Sequence, residues 1–323
     1  MERRRDQLHR RLQSHGIRYA FFETTEQDTA SLLARRALSS GMRRFLVSGG
    51  DGTVVEAAQA LGGTGAVLAV LPAGTANLLA VNAGVPSDLE DALRLAISAE
   101  PQPYDVGRAN GKAFLVVAGM GADAEAVRET DSGAKERLGP LAYVLAAARN
   151  ITRPPVRYRI TLDGRTMERR ARTVLVVNAG NLPGRAAFAP DADPHDGQLD
   201  IAVVRARGLM DVLQVGLDML LGRRPKREDV EVLRCRSVLI ETETAQPVQR
   251  DGNALDPVTR LEASIEPGAL NLVHGPQDDE DATPAGSNLP LWIPILAVSA
   301  FLLARRTRRK GRIKNHGRTA PDA

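Results

Sequence analysis

Residues 47 to 56 read Val-Ser-Gly-Gly-Asp-Gly-Thr-Val-Val-Glu, directly after the apolar Phe45-Leu46. No other stretch restricts the fold so strongly. Gly49, Gly50 and Gly52 interrupt a strand, and without Cβ atoms they permit positive φ and close approach of a ligand to their N–H groups. Val54 to Leu61 is rich in helix formers. The run predicts a strand, a tight turn and a helix whose N-terminus faces the turn, an arrangement that receives anions such as a polyphosphate. Asp51 departs from that logic. A carboxylate in an anion-binding turn raises the free energy of a bound phosphate unless it holds a cation or accepts a proton, so it points to Mg²⁺ or to a base. An ordinary turn selects the same Asp and Gly residues, so one such turn does not decide the matter.

A second turn follows the apolar run Ala66 to Leu71: Pro72-Ala73-Gly74-Thr75-Ala76-Asn77, leading into the helical pattern Leu78-Leu79-Ala80. Two strand–turn–helix units in tandem predict a parallel α/β sheet with both turns on the edge where such sheets bind ligands. On Ser48-Gly49-Gly50-Asp51-Gly52-Thr53 and Pro72-Ala73-Gly74-Thr75-Ala76-Asn77, the chain resembles the diacylglycerol kinase catalytic-domain family, which includes bacterial lipid kinases and sphingosine kinases. NAD kinases share the first motif but carry a different second one. Four later stretches continue the resemblance, which covers roughly residues 17–274. Tyr104-Asp105-Val106-Gly107 resembles the entry to the family's second domain, and Gly119-Met120-Gly121-Ala122-Asp123-Ala124 its glycine turn. Asp196-Gly197-Gln198-Leu199-Asp200 resembles its Asp-Gly-x-Leu-Asp stretch, and Arg250-Asp251-Gly252-Asn253 falls where the family reads Asp-Gly-Glu.

The resemblance implies an α/β nucleotide-binding domain followed by a β-sandwich domain. It also implies ATP-dependent phosphorylation of a lipid hydroxyl, diacylglycerol-like or sphingoid, within phospholipid metabolism. Gly49, Gly50, Asp51, Gly52, Thr53 and Glu56 from the first turn, with Gly74, Thr75 and Asn77 from the second, are then the expected ATP holders. Thr25, or Thr24 if the alignment slips by one, matches the nucleotide-contacting threonine. Asp51 and Asp105 match carboxylates of the Mg²⁺–water network, although Leu78 stands where some members carry a third Asp. Asp193, Asp196 and Gln198 match positions that hold a separate structural Mg²⁺ in some relatives; a plain Asp/Gly turn accounts for them equally well.

Two departures bear on activity. Asn253 replaces the Glu that the resemblance assigns as general base, and an amide takes no proton at neutral pH; loss of such a base costs roughly 10²–10⁴-fold in rate. Asp251 or Asp51 could substitute, which makes Asp51, Asp105, Asp251 and Asn253 the candidate catalytic set. The family's opening strand, ending in Asn-Pro-x-x-Gly, is also not found, so the first strand is apparently missing. These departures favour an alternative: a catalytically weak or inactive nucleotide-binding regulatory protein of the same fold. A third reading, a soluble-metabolite kinase related to NAD kinases, fits the second turn poorly.

With 323 residues, 43% of them hydrophobic and 25% charged, the chain is long enough for two cores. The expected layout is an α/β ATP-binding domain at 1–101, a β-rich lipid-substrate domain at 102–275, an acidic linker at 276–288, a hydrophobic membrane segment at 289–304 and a basic tail at 305–323. Cys235 is the single cysteine, which excludes a disulfide framework. Met1-Glu2-Arg3-Arg4-Arg5 does not read as a signal peptide. The uncharged segment Leu289 to Ala304 has 16 residues, short of the roughly 20 needed to span hydrocarbon; a short anchor and an interfacial helix are both open. The arginine-rich run that follows lacks aromatic interleaving, so an anionic membrane surface, at the cytoplasmic face where ATP is found, is a better partner than nucleic acid. Oligomeric state is not legible. Expected elements include helices at 29–40, 88–99, 140–150 and 209–221, and strands at 18–22, 113–118, 156–162, 172–178, 199–204, 237–243 and 261–265.

Overall fold

The first hundred residues alternate helix and strand, as their apolar periodicity requires. The order is α1 (Glu2–Ser14), α2 (Ala30–Ser39), β1 (Arg44–Gly49), α3 (Asp51–Leu61), β2 (Val67–Pro72), α4 (Leu78–Asn82) and α5 (Leu89–Ser98). This computed structural model describes residues 2–74, 77–121, 124, 154–180, 189, 191–205 and 228–276. Thr75, the expected helices at 140–150 and 209–221, and the linker, apolar segment and tail lie outside them. Helix starts follow local chemistry: the Thr29 hydroxyl accepts the Leu32 amide, and the Asp88 carboxylate accepts those of Glu90 and Asp91, satisfying orphan N–H groups. β1 and β2 pair in parallel, with Gly49 opposite Pro72. α3 lays Val54, Ala58 and Leu61 on one face of β2, while Leu8, Leu12, Ala92, Leu93 and Ala96 cover the other.

The expected strand at 18–22 does not form. Ile17 and Tyr19 do turn toward the core and the Tyr19 hydroxyl meets His9 Nδ1 at 2.7 Å, but no described strand pairs with the segment. Alternation without a ladder partner leaves it extended and largely exposed.

From residue 101 the chain becomes β-rich: β3 (Pro101–Ala109), β4 (Lys112–Phe114), β5 (Val117–Gly121), β6 (Val156–Leu162), β7 (Arg165–Ala171), β8 (Thr173–Val177), β9 (Leu199–Val204), β10 (Val230–Cys235), β11 (Ser237–Arg250) and β12 (Asn253–Val273). Three Asx-Gly pairs make its tight hairpins. Asn110-Gly111, Asp163-Gly164 and Asp251-Gly252 all have positive φ at both residues, the geometry whose twist matches paired strands. These turns also carry β11 and β12 well past the apolar runs 237–243 and 261–265, because pairing continues to the turn itself. The expected strand at 113–118 is divided into β4 and β5, since the amides of Leu115, Val116 and Val117 leave the ladder to bond Asp251.

β12 joins the two regions. It pairs antiparallel with β11 and β3, then its end, Asn271 and Leu272, lies parallel to β2. The result is one mixed sheet of twelve strands among the described residues. A register shift between Glu266 and Leu270 bends β12 there.

Gly107 in β3 lies under the ring of its cross-strand partner Phe114, and a Cβ at that position would come within 2.1 Å of the ring. Phe114 is fully buried and has no room to move. Gly107→Ala is expected to lower unfolding free energy by about 1–3 kcal/mol, read from urea denaturation of the purified protein.

Candidate active site

Parallel pairing of β1 and β2 brings both glycine turns to one sheet edge, where the Ala73 amide donates to the Gly49 carbonyl at 3.1 Å. Their glycines are required by proximity rather than by φ. Gly50 is extended at φ −85°, and none of Gly49, Gly50, Gly52 or Gly74 has positive φ. A Cβ on Gly74 would stand 2.6 Å from Gly50 Cα, and one on Gly49 would stand 2.7 Å from Thr53 Cβ. The two turns therefore touch backbone to backbone. Asn77, left-handed at φ 49°, closes the second turn: its Oδ1 accepts the Gly74 amide and its Nδ2 donates to the Gly74 carbonyl, both at 2.8 Å.

Asp51 is the first residue of α3, and its Oδ1 accepts the Leu78 amide at 2.5 Å, tying the start of α4 to the first turn. Burial raises its pKa above the ordinary carboxylate value, with the surrounding backbone amides acting the other way. Glu56 Oε2 accepts the Ala30 amide at 3.2 Å and so caps α2. Thr25 closes a local exposed turn, its hydroxyl accepting the Asp28 amide at 2.9 Å and its own amide donating to the Asp28 carbonyl.

The β11–β12 hairpin comes to this same edge. Its turn residue Asp251 is 3% exposed; one carboxylate oxygen accepts the amides of Val116 and Val117, both at 2.9 Å, and the other accepts that of Leu115 at 2.8 Å. Burial pushes its pKa up to about 6; the three amides pull it down, and the Asp51 charge adds to the rise. Asn253, just past the turn, stands over the first glycine turn: a Cβ on Gly52 would lie 3.9 Å from Asn253 Nδ2 and 4.0 Å from Oδ1. Asp51, Asp251 and Asn253 are thus gathered beside Gly49, Gly50, Gly52 and Gly74.

Asp105 is engaged elsewhere. Its two oxygens accept the amides of Gly197 and Gly268, each at 2.7 Å, and its own amide donates to Pro194. It clamps the 193–198 loop to the bend in β12. Asp193 Oδ1 accepts the amide of His195 and meets its Nδ1, while Asp196 takes the Gln198 amide on one oxygen and faces Arg234 Nη1 at 3.5 Å with the other. These loop carboxylates already have donors, and among the described residues no three His, Cys, Asp or Glu side chains converge as metal ligands. Asp51, half-buried at the first glycine turn and close enough to Asp251 to influence its charge, could hold a cation there.

Comparison with known proteins accounts for this assembly. The pattern of the diacylglycerol kinase catalytic domain matches residues 1–109, and that of the YegS C-terminal NAD kinase beta sandwich-like domain matches residues 116–274. A Pseudomonas aeruginosa protein named "Probable lipid kinase YegS-like" is 34% identical over 264 residues, 80% of this chain and 85% of that one. The chain belongs to the diacylglycerol kinase catalytic-domain family. Another member, the "Diacylglycerol kinase" of Bacillus subtilis, is 26% identical over 250 residues, 76% of this chain and 82% of that protein. The crystal structure of a diacylglycerol kinase from Bacillus anthracis has a TM-score of 0.61 at 25% identity, covering 79% of this chain and 84% of that one. The chain spans 66% of an uncharacterized Synechocystis protein to which it is 29% identical. The family's kinase domain and β-sandwich-like domain are therefore both present here.

Sequence reading missed several parts of the site. Among them are the α4 amide held by Asp51, the three amides held by Asp251, and Arg250, which pairs across the turn with Asn253. Only Arg250 carried a signal, as a cation adjoining a motif.

The Asp251 carboxylate yields a test. The folded protein holds this proton up to about pH 6, whereas an ordinary aspartate gives it up near 3.8. Folding therefore takes up a proton in that window, and the contribution of Asp251 to stability falls as pH rises through it. In Asp251→Asn this slope should vanish. At neutral pH the variant should still be less stable by about 1–3 kcal/mol, because an NH₂ group would confront a backbone N–H. Urea denaturation of both proteins between pH 4 and pH 7 measures the difference.

Proposed function

We propose that this family member is an ATP-dependent kinase that transfers the γ-phosphoryl group to a membrane lipid, diacylglycerol-like or sphingoid in the reading the resemblance implies. The observation that supports this is the seating of Asn253 against Gly52, which brings the turn matching the family's Asp-Gly-Glu motif beside the first glycine turn. ATP's phosphates would lie along the touching turns at the N-terminus of α3, where unpaired backbone N–H groups and the helix dipole favour negative charge. Asp51 would hold Mg²⁺, and the ion would supply neutralisation of charge on the transferred group.

A second reading has its own support. Asp105 and Asp251 spend their carboxylates on backbone amides, and the side chain over Gly52 is an amide. A protein of this fold that binds nucleotide without turnover, serving as a membrane regulator, is consistent with those three facts. Labelling a total lipid extract with [γ-³²P]ATP and Mg²⁺ separates the two: a labelled lipid on thin-layer separation selects the kinase, and ATP binding without product selects the regulator. In the kinase case Asp51→Asn should abolish labelling with little change in melting temperature, since its carbonyl oxygen can still accept the Leu78 amide. Substantial remaining turnover would remove Asp51 from the mechanism.

Attachment to the cytoplasmic face of an anionic membrane through residues 289–323 belongs to the same proposal. The cut that tests it follows Pro276, because Gly275 donates its amide to the Ala83 carbonyl at 2.8 Å and residues 1–277 form a unit of their own. The shortened chain should move from the membrane pellet to the supernatant with ATP binding retained; unchanged sedimentation would refute the anchor.

A further inference from the structure

His274 follows the last residue of β12 and is 7% exposed, and its Nε2 is buried without a hydrogen-bond partner. A polar atom so placed is costly in a folded protein unless a bound group completes it. Burial also keeps the ring neutral, pushing its pKa down to about 4, and the neighbouring His195 acts in the same direction. Neutral imidazole is the form that ligates metals.

A second imidazole stands beside it. The ring centroids of His195 and His274 are 5.2 Å apart, with their planes at 51°. His195 is held in place by Asp193, whose Oδ1 meets its Nδ1 at 2.9 Å and accepts its amide at 3.0 Å. That leaves Nε2 as the nitrogen of the His195 ring without a partner among the described residues. A carboxylate on one nitrogen is the usual device for fixing the tautomer and orientation of a histidine that ligates a metal through the other. Tyr104 packs against both rings at centroid distances of 5.8 Å, and its hydroxyl is spent on the Leu115 carbonyl, so it fixes their spacing without competing for their nitrogens. Two imidazoles sharing one tetrahedral ion, with metal–nitrogen bonds of about 2.0–2.1 Å, have centroids roughly 5 Å apart. The spacing found here matches.

We propose that His195 and His274 form a binding site for a divalent transition metal of the Zn²⁺ class, with Asp193 orienting His195 from behind. No third His, Cys, Asp or Glu side chain joins them among the described residues, so water completes the coordination. Nitrogen donors select such an ion over Mg²⁺, which takes oxygen ligands; the site is therefore separate from a cation at Asp51. Its two ligands come from different parts of the chain. His195 belongs to the loop that Asp105 clamps through Gly197, and the residue after His274, Gly275, donates its amide to the Ala83 carbonyl at 2.8 Å. A bound ion fastens that loop to the end of β12, whether or not the protein is a kinase.

The test titrates the untagged full-length protein, freed of metal with EDTA and returned to millimolar Mg²⁺, with Zn²⁺ by calorimetry and with Co²⁺ by visible absorption. A single equivalent should bind despite the Mg²⁺, raise the melting temperature, and give Co²⁺ the absorption bands of a nitrogen-ligated ion. His195→Ala and His274→Ala should each abolish this binding. His195 is the safer variant for folding, its side chain being 29% exposed. Asp193→Asn should weaken Zn²⁺ binding about 10–100-fold and leave the melting temperature of the metal-free protein unchanged, with partial recovery in Asp193→Glu. His15→Ala, which removes a more exposed imidazole on α1, should change nothing. Binding that survives His195→Ala, or that is lost in His15→Ala, identifies adventitious surface ligation and overturns the site. Absence of saturable binding by the wild-type chain overturns it with no variant needed. Lipid labelling does not enter these readouts, so failure here and failure of the kinase reading are told apart.

Discussion

The buried carboxylate of Asp251 organises the site. At the break between β4 and β5 the amides of Leu115, Val116 and Val117 point to no neighbouring strand's carbonyl, and buried N–H groups must find acceptors. Asp251 supplies all three from the left-handed turn of the β11–β12 hairpin. Fixing that turn fixes the register of β11 on β12, and with it the position of Asn253 over the first glycine turn. Burial raises the pKa of this carboxylate to about 6, with the charge of Asp51 contributing. Three backbone amides thus occupy the carboxylate that sequence reading offers as a substitute base.

Asp105 does comparable work at the other end of the same strand. β12 breaks its register with β3 between Glu266 and Leu270, and there the left-handed Gly268 offers its amide to Asp105 while Gly197 offers another from the facing loop. The bend lets one 21-residue strand leave the β-rich region and end beside β2. Loop, bend and phosphate edge are consequently coupled through one strand. Two acidic residues that match the family's motif positions have backbone amides as their partners in this chain. Asp51 differs in standing directly at the first turn, where its Oδ1 accepts the Leu78 amide.

The electrostatic balance of the cleft follows from these contacts. Half-buried Asp51 and fully buried Asp251 both have raised pKa values, and half-buried Arg250 lies within the influence of the Asp251 charge.

Local signals carried much of the fold. Periodicity and glycine placement in 44–61 and 66–82 determined two strand–turn–helix units, and the parallel pairing that puts both turns on one edge is their necessary packing. The runs 156–162 and 199–204 became strands with those bounds, because their apolar residues face a core. Sequence failed where a partner decides: Arg18 to Phe22 alternates correctly but pairs with no strand among the described residues, and β7, a charged edge strand, is called into being by β6 across the Asp163-Gly164 turn. The motifs named Asp51, Asp105, Asp251 and Asn253, yet a sequence cannot say whether a carboxylate meets solvent, a metal or the backbone. Tertiary structure alone assigned Asp105 and Asp251 to amides and set Asn253 beside Gly52, since each outcome depends on which distant backbone groups folding leaves unpaired.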